Sequence, residues 1–257
     1  FTGNKFEFRA LGASQSVSFP ATVLNTIVAE SIDEMCTELD GELKGGTSFE
    51  DALAALLAKE VRRVKRIVFN GDGYSEEWHQ EAEKRGLLNL HNTLEAVPAL
   101  ANEKNVALFE KYGVLTPREM ESRQEVVYET YFKTVNIEGE TTAEIASTMI
   151  LPAAVHYLND LLAAAERAGA VGLTATGVKR TIEQVNDLTN ELADALGTLV
   201  QQNAELGGED VHSKAHHVHD NVIPAMAAVR AASDKLEKVL PDTYWPLPRY
   251  REMLFVK

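Results

Sequence analysis

Two periods divide the polar and apolar positions of this chain. Over Asn4-Lys5-Phe6-Glu7-Phe8-Arg9, charged and aromatic residues alternate. A period of two predicts a half-buried strand with Lys5, Glu7 and Arg9 on one face and Phe6 and Phe8 on the other. Beyond the Gly/Ser loop at residues 11–16, apolar residues recur at three and four. Val23, Leu24, Ile27, Val28, Ile32, Met35 and Leu39 predict a helix from Pro20 to about Leu39, ended by Asp40-Gly41 and Gly45-Gly46. Thr47 or Ser48 caps the next helix, with Glu50 and Asp51 in its first turn. Leu53, Leu56, Leu57 and Val61 are its expected buried stripe, and Arg62, Arg63, Lys65 and Arg66 load its C-terminal end. Ile67-Val68-Phe69 reads as a short strand, followed by a turn at Asn70-Gly71-Asp72-Gly73.

The rest of the chain reads as helix. Ser75 caps a helix to about Lys84, and shorter helices are expected near residues 93–100 and 103–112. Thr116-Pro117 then opens a long helical region reaching Ala168-Gly169, with a bend expected at Gly139 or Pro152. Helices from about Val178 to Glu205 and from Val211 to Leu240 flank the turn Gly207-Gly208. Two long amphipathic helices joined this tightly lie antiparallel, and the preceding long helix can complete a three-helix bundle or arm. The tail Tyr244-Trp245-Pro246-Leu247-Pro248 is expected to dock back on the body. The expected fold class is therefore mainly α: an α+β chain whose N-terminal strand comes from a larger sheet, followed by a large helical region with a long antiparallel bundle. The strand needs partner strands that this sequence does not supply.

Length and composition narrow the class. The 257 residues, 45% hydrophobic and 25% charged, suit one large or two modest globular domains. No signal peptide and no apolar run of membrane-spanning length is expected, and the single cysteine, Cys36, fits a reducing, cytoplasmic setting. Cys36 falls in an apolar pattern and is expected to be buried. A net charge of −14 argues against nucleic acid and anionic membrane as partners. The basic cluster at residues 62–66 then reads as dipole compensation rather than a nucleic-acid patch.

Two groups of residues bear on chemistry. His212, His216, His217 and His219 open the last long helix. The spacing of His212 and His216 suits a zinc pair, but no cysteine lies near, so a solvated helix start is the expectation. His79, His91 and His156 are read as isolated and structural, and no Gly-x-Ser-x-Gly elbow is present. The other group is the charged face of the opening strand. It is either a solvated face or a carboxylate for a metal, flanked by two cations for phosphate or carboxylate groups.

The runs Phe1–Arg9 and Thr22–Glu30, then 66–78, 85–90 and 109–114, resemble in order the late part of glutamine synthetases, nearest to the type III branch. The resemblance covers essentially the whole chain and identifies it as a C-terminal part of such a subunit. Residues 1–70 would be the end of the catalytic domain and residues 71–257 a helical C-terminal domain. The resemblance implies an ATP-dependent ligase that joins glutamate and ammonia through a γ-glutamyl phosphate, using ATP and two Mg2+ or Mn2+ ions. It implies a homo-oligomer of stacked rings in the cytoplasm. By the family's basic-x-Glu-x-Arg motif, Glu7 is a metal ligand, Arg9 the catalytic clamp on substrate carboxyl or phosphoryl oxygens, and Lys5 a contact to nucleotide phosphate. Ala10-Leu11-Gly12-Ala13 follows where the more widespread branches carry Phe-Pro-Asp. The other metal carboxylates of the family lie upstream, so this chain alone is expected to be inactive. The competing expectation is a non-catalytic helical module for interaction or oligomerisation.

Overall fold

The structure, a computed structural model, describes Gly12 and residues 15–254. The expected strand at residues 4–9 lies outside them. Every regular element among the described residues is helical, so the mainly α expectation holds and the α+β part has no described strand to support it. The chain divides into two compact units at Gln124/Glu125.

In the first unit, α1 (Ser18–Lys44) and α2 (Phe49–Val64) form a helical hairpin through Gly45–Ser48. α1 runs past Asp40-Gly41 and stops only at Gly45. Gly46, at φ +93°, makes the turn that a side chain would strain. Ser48 caps α2 by accepting from the Asp51 amide at 3.2 Å. Lys59 of α2 reaches Glu38 of α1 at 2.5 Å. Three short helices follow, α3 (Glu76–Lys84), α4 (Thr93–Leu100) and α5 (Glu103–Lys111), each opened by a capping side chain: Ser75, Asn92 and Asn102. Among the described residues, the buried hydrophobic residues of this unit are few: Ala52, Leu56, Ala82, Leu94, Val97, Phe109 and Met120.

Three expectations for this unit are corrected. Ile67-Val68-Phe69 is not a strand. Lys65–Ile67 is a single 3-10 turn, and the Arg85 guanidinium donates to the carbonyls of Arg66 (3.1 Å) and Val68 (2.9 Å). Phe69 stacks on Trp78 with ring centres 4.4 Å apart. β-branched residues make a strand only where another strand takes their backbone groups, and here a side chain takes them. Second, α2 buries Ala52 and Leu56, whereas Leu57 and Val61 are exposed. Third, Cys36 is exposed rather than buried.

α6 (Pro117–Ile145) starts in the first unit and continues into the second. A reciprocal capping box opens it: Glu119 accepts from the Thr116 amide at 2.8 Å, and Thr116 Oγ1 accepts from the Glu119 amide at 3.3 Å. In the second unit, α6 runs through a π turn (Ala146–Ile150) into α7 (Leu151–Ala170). α8 (Thr176–Glu205) follows, then α9 (Val211–His217), a second π turn (Val218–Val222) and α10 (Ile223–Val239).

The two π turns share a cause. Each ends two residues before a proline, Pro152 or Pro224. Proline has no N–H for the carbonyl four residues earlier. The amide before it donates five residues back instead, Leu151 to Ala146 and Ile223 to Val218. The expected interruption therefore falls at Pro152. Gly139 sits inside an unbroken helix.

α8 packs along both α7 and α10. The α9–α10 stretch runs antiparallel to it: His217 meets Gln202, and Lys235 meets Glu191. Leu192, Leu199, Val218, Val222, Val229 and Leu236 fill the core between them. The tail packs onto this core through Tyr244, Trp245 and Leu247, as the sequence implied.

Candidate functional site

Lys5, Glu7 and Arg9 lie outside the described residues. What the structure places is the helical body that follows them, with its polar groups.

The densest charge cluster joins α5 to α1. Lys111 Nζ lies 2.9 Å from Glu30 and 3.0 Å from Asp33, and the Tyr112 hydroxyl donates to Asp33 at 2.9 Å. Glu30 and Asp33 are three apart and share a face of α1, and Lys111-Tyr112 end α5. Hydrogen bonds from Tyr112 and Lys111 hold the Glu30 carboxyl below its usual range, and Lys111 and then Tyr112 do the same for Asp33. The Lys111 ammonium is pushed up by Tyr112 and the two carboxylates. Desolvation, with the Glu30 hydrogen bond, raises the Tyr112 phenol to about 12. A cation held by two carboxylates and a phenol has no proton to give at neutral pH, so the cluster ties helices together and is no acid–base centre. Its members are 79 and 81 residues apart along the chain, and no local pattern marks them.

The histidines form a packed group. His212 lies edge-on to Tyr128, with ring centres 5.0 Å apart, and 4.6 Å from His216. His217 Nε2 is 2.8 Å from the Gln202 carbonyl, in the last turn of α8, whose end carbonyls lack helical partners. His219 Nδ1 is 2.7 Å from Asp220. Asp210 caps α9, and the Ser213 amide and hydroxyl hold its carboxyl below its usual range. Among the described residues, no three His, Cys, Asp or Glu side chains converge as a metal site would require. In the first unit, His79 and His91, read from the sequence as isolated, meet edge-on at 6.2 Å.

Concavities within the units include one of about 340 Å3 lined by Asp234, Glu237, Lys238, Arg249, Tyr250 and Arg251. Another of about 350 Å3 is lined by Ser18, Phe19, Thr22, Val114, Leu115 and Arg123. An open groove of about 550 Å3 between α6 and α10 is lined chiefly by Ile137, Glu138, Thr141, Met226 and Arg230. None of these linings pairs a serine, threonine or cysteine nucleophile with a histidine base. No helix among the described residues is long and apolar enough to cross a membrane.

Comparison with known proteins shows what this chain is similar to. Residues 52–168 match the family model of the glutamine synthetase C-terminal domain. Along its whole length the chain is 39% identical to the type-3 glutamine synthetase of Dictyostelium discoideum and 31% identical to the glutamine synthetase of Bacteroides fragilis. A glutamine synthetase of Butyrivibrio fibrisolvens is 27% identical over 99% of the chain. The chain is thus similar to glutamine synthetases along its whole length, as its ordered runs indicated. It spans about 36% of the length of each of these relatives.

Proposed function

We propose that this chain is the C-terminal part of a glutamine synthetase subunit that makes glutamine from glutamate and ammonia at the expense of ATP, through a γ-glutamyl phosphate. The observation that carries the reading is the end-to-end likeness to glutamine synthetases of two bacteria and an amoeba, together with the charged face Lys5-x-Glu7-x-Arg9. Residues 1–70 end the catalytic domain, and residues 71–257 are the helical C-terminal domain. The subunit assembles with copies of itself in stacked rings in the cytoplasm, and it takes neither nucleic acid nor membrane as partner.

Glu7 would hold Mg2+ or Mn2+, since a hard carboxylate oxygen suits either ion. Such an ion supplies charge compensation as the phosphoryl group moves. Arg9 presents five donors in a planar fork that matches the carboxyl of glutamate or the oxygens of the transferred phosphoryl group. Lys5 brings a compact positive charge to the nucleotide phosphates. On a strand the three point the same way, so one sheet face would orient both substrates. The family's other metal carboxylates lie upstream of the motif, so the chain is inactive without the rest of the subunit.

The test is Glu7→Ala in the complete subunit, assayed for divalent-metal-dependent glutamine synthesis. Loss of synthesis with the assembly intact is expected. Normal turnover would remove Glu7 from the metal site. The chain by itself should form no glutamine.

A further inference from the structure

In the second unit α6 and α10 lie side by side and run in one direction. Gly139 faces Val222, just ahead of α10, and the π turn that follows α6 packs on α10 itself. The open groove of about 550 Å3 lies along this pair. Its middle is apolar and its walls are small: Met226 is partly buried there, with Thr141 on one wall and Ala227 on the other. At one end Ile137 and Ile223 stand out into solvent, 61% and 37% exposed. Glu138 shares that end. Arg230 closes the other end, seven residues or about 10 Å along α10 from Ile223. Arg230 also donates to the Tyr250 hydroxyl at 2.9 Å, which leaves further donors on its fork.

We propose that this groove is a contact between two copies of the chain, related by a two-fold axis lying across it. This deepens the self-assembly in the function proposed above and rests on that part of it, not on the ligase chemistry. A chain of net charge −14 repels its copies over most of its surface. The groove is locally neutral, with one carboxylate and one guanidinium at opposite ends of an apolar middle. A two-fold contact uses the same patch on both copies, so the patch must complement itself. Rotation about an axis across the groove lays each end over the opposite end of the partner. Glu138 of each copy then meets the partner's Arg230. The exposed isoleucines of each copy cover the end of the partner's groove that lacks them. Thr141, midway along the α6 wall, lies beside its own counterpart, and its small side chain lets the two α6 helices cross closely. The paired charges at both ends fix the register of the contact.

Cross-linking at position 141 tests this. The complete subunit carries Thr141→Cys in a Cys36→Ser background and is treated with a short bismaleimide, whose reach suits the spacing of about 8–10 Å between packed helices. Peptides joined from position 141 to position 141 are followed by mass. A partner held in place is at an effective concentration in the millimolar range, far above a micromolar solution. Joining at least about tenfold faster than in a Thr198→Cys control, at an exposed position of α8, is therefore expected. Ile137→Asp should slow the joining to the control rate with helix content unchanged by circular dichroism. Glu138→Arg and Arg230→Glu should each slow it, and the two combined should restore it. Joining at the control rate, or joining unaffected by Ile137→Asp, would overturn the proposal. The mass of the wild-type complete subunit is measured in parallel by light scattering. A monomer would refute the self-assembly and this contact with it, whereas an oligomer that joins at 141 no faster than the control would refute the groove contact alone.

Discussion

Glycine in a helix interior is ordinarily a weakness, and two glycines of the second unit should respond to the same substitution with opposite signs. Gly197 lies in α8 with open space where a Cβ would stand. Gly197→Ala removes backbone entropy and should stabilise the chain by about 0.8–1 kcal/mol, the helix-propensity difference. Gly139 lies in α6, and a Cβ there would stand 2.5 Å from Asn203 Oδ1 and 2.9 Å from Val222 Cγ1. The Asn203 amide ends a side chain that can swing. Val222 is fully buried in the second π turn, and its β-branched side chain has little freedom to move. Overpacking of this kind costs about 1–3 kcal/mol. Set against the same propensity gain, Gly139→Ala should destabilise by about 1 kcal/mol. Urea unfolding followed by circular dichroism measures both variants of this chain, with the midpoint moving up for Gly197→Ala and down for Gly139→Ala. A stabilised Gly139→Ala would show that α6 does not approach α8 and the π turn as closely as the structure has it.

Three further outcomes are expected. Leu192→Ala and Leu236→Ala each empty a fully buried position where α8 and α10 meet, and each should cost about 2–5 kcal/mol in the same urea experiment. Lys111→Met should make the first unit less stable at neutral pH, with a penalty that depends on pH. Glu30 and Asp33 have folded pKa values below their unfolded ones, so their contribution is fully present above the ordinary carboxylate range and is lost as pH falls through the lowered values. Wild type and variant should therefore converge in acid, and a gap in unfolding midpoint that is constant with pH would contradict the assignment. Gly207 holds φ at +74°, and a Cβ there would lie 2.1 Å from the His217 Cβ. Gly207→Ala should destabilise the α8–α9 turn by about 1–3 kcal/mol, seen as faster hydrogen exchange in the last turn of α8.

The α8–α9 turn also shows where local reading stops. Gly207-Gly208 marked the reversal in the sequence. The left-handed backbone in fact begins one residue earlier, at Leu206 with φ 53°, a conformation costing a non-glycine residue about 1–2 kcal/mol. The His217 bond to Gln202 and the packing of His217 over Gly207 hold the turn closed. Both contacts span ten residues or more, and no window of sequence contains them as a signal.

By itself the sequence determined the helices, their order and most of their ends. Spacing at three and four and the capping residues Ser48, Ser75 and Thr116 act within one or two turns, and the structure uses all three. It also carried the likeness to glutamine synthetases, because the ordered runs that resemble them are a property of sequence alone. Only the tertiary structure decided which apolar face is inside. Leu57 and Val61 have the spacing of a core stripe and are exposed, while Ala52 and Leu56 are covered, because burial depends on a neighbouring layer. Tertiary contacts likewise decided that Ile67-Val68-Phe69 makes no strand, since a strand is completed by its partner and here Arg85 takes the carbonyls. They made Gly139 a point of close approach rather than a break, and they assembled Lys111, Glu30, Asp33 and Tyr112 from distant helices. Hydrogen bonds within a turn are encoded where they form, whereas burial and ion pairing between helices depend on parts of the chain that only folding brings together.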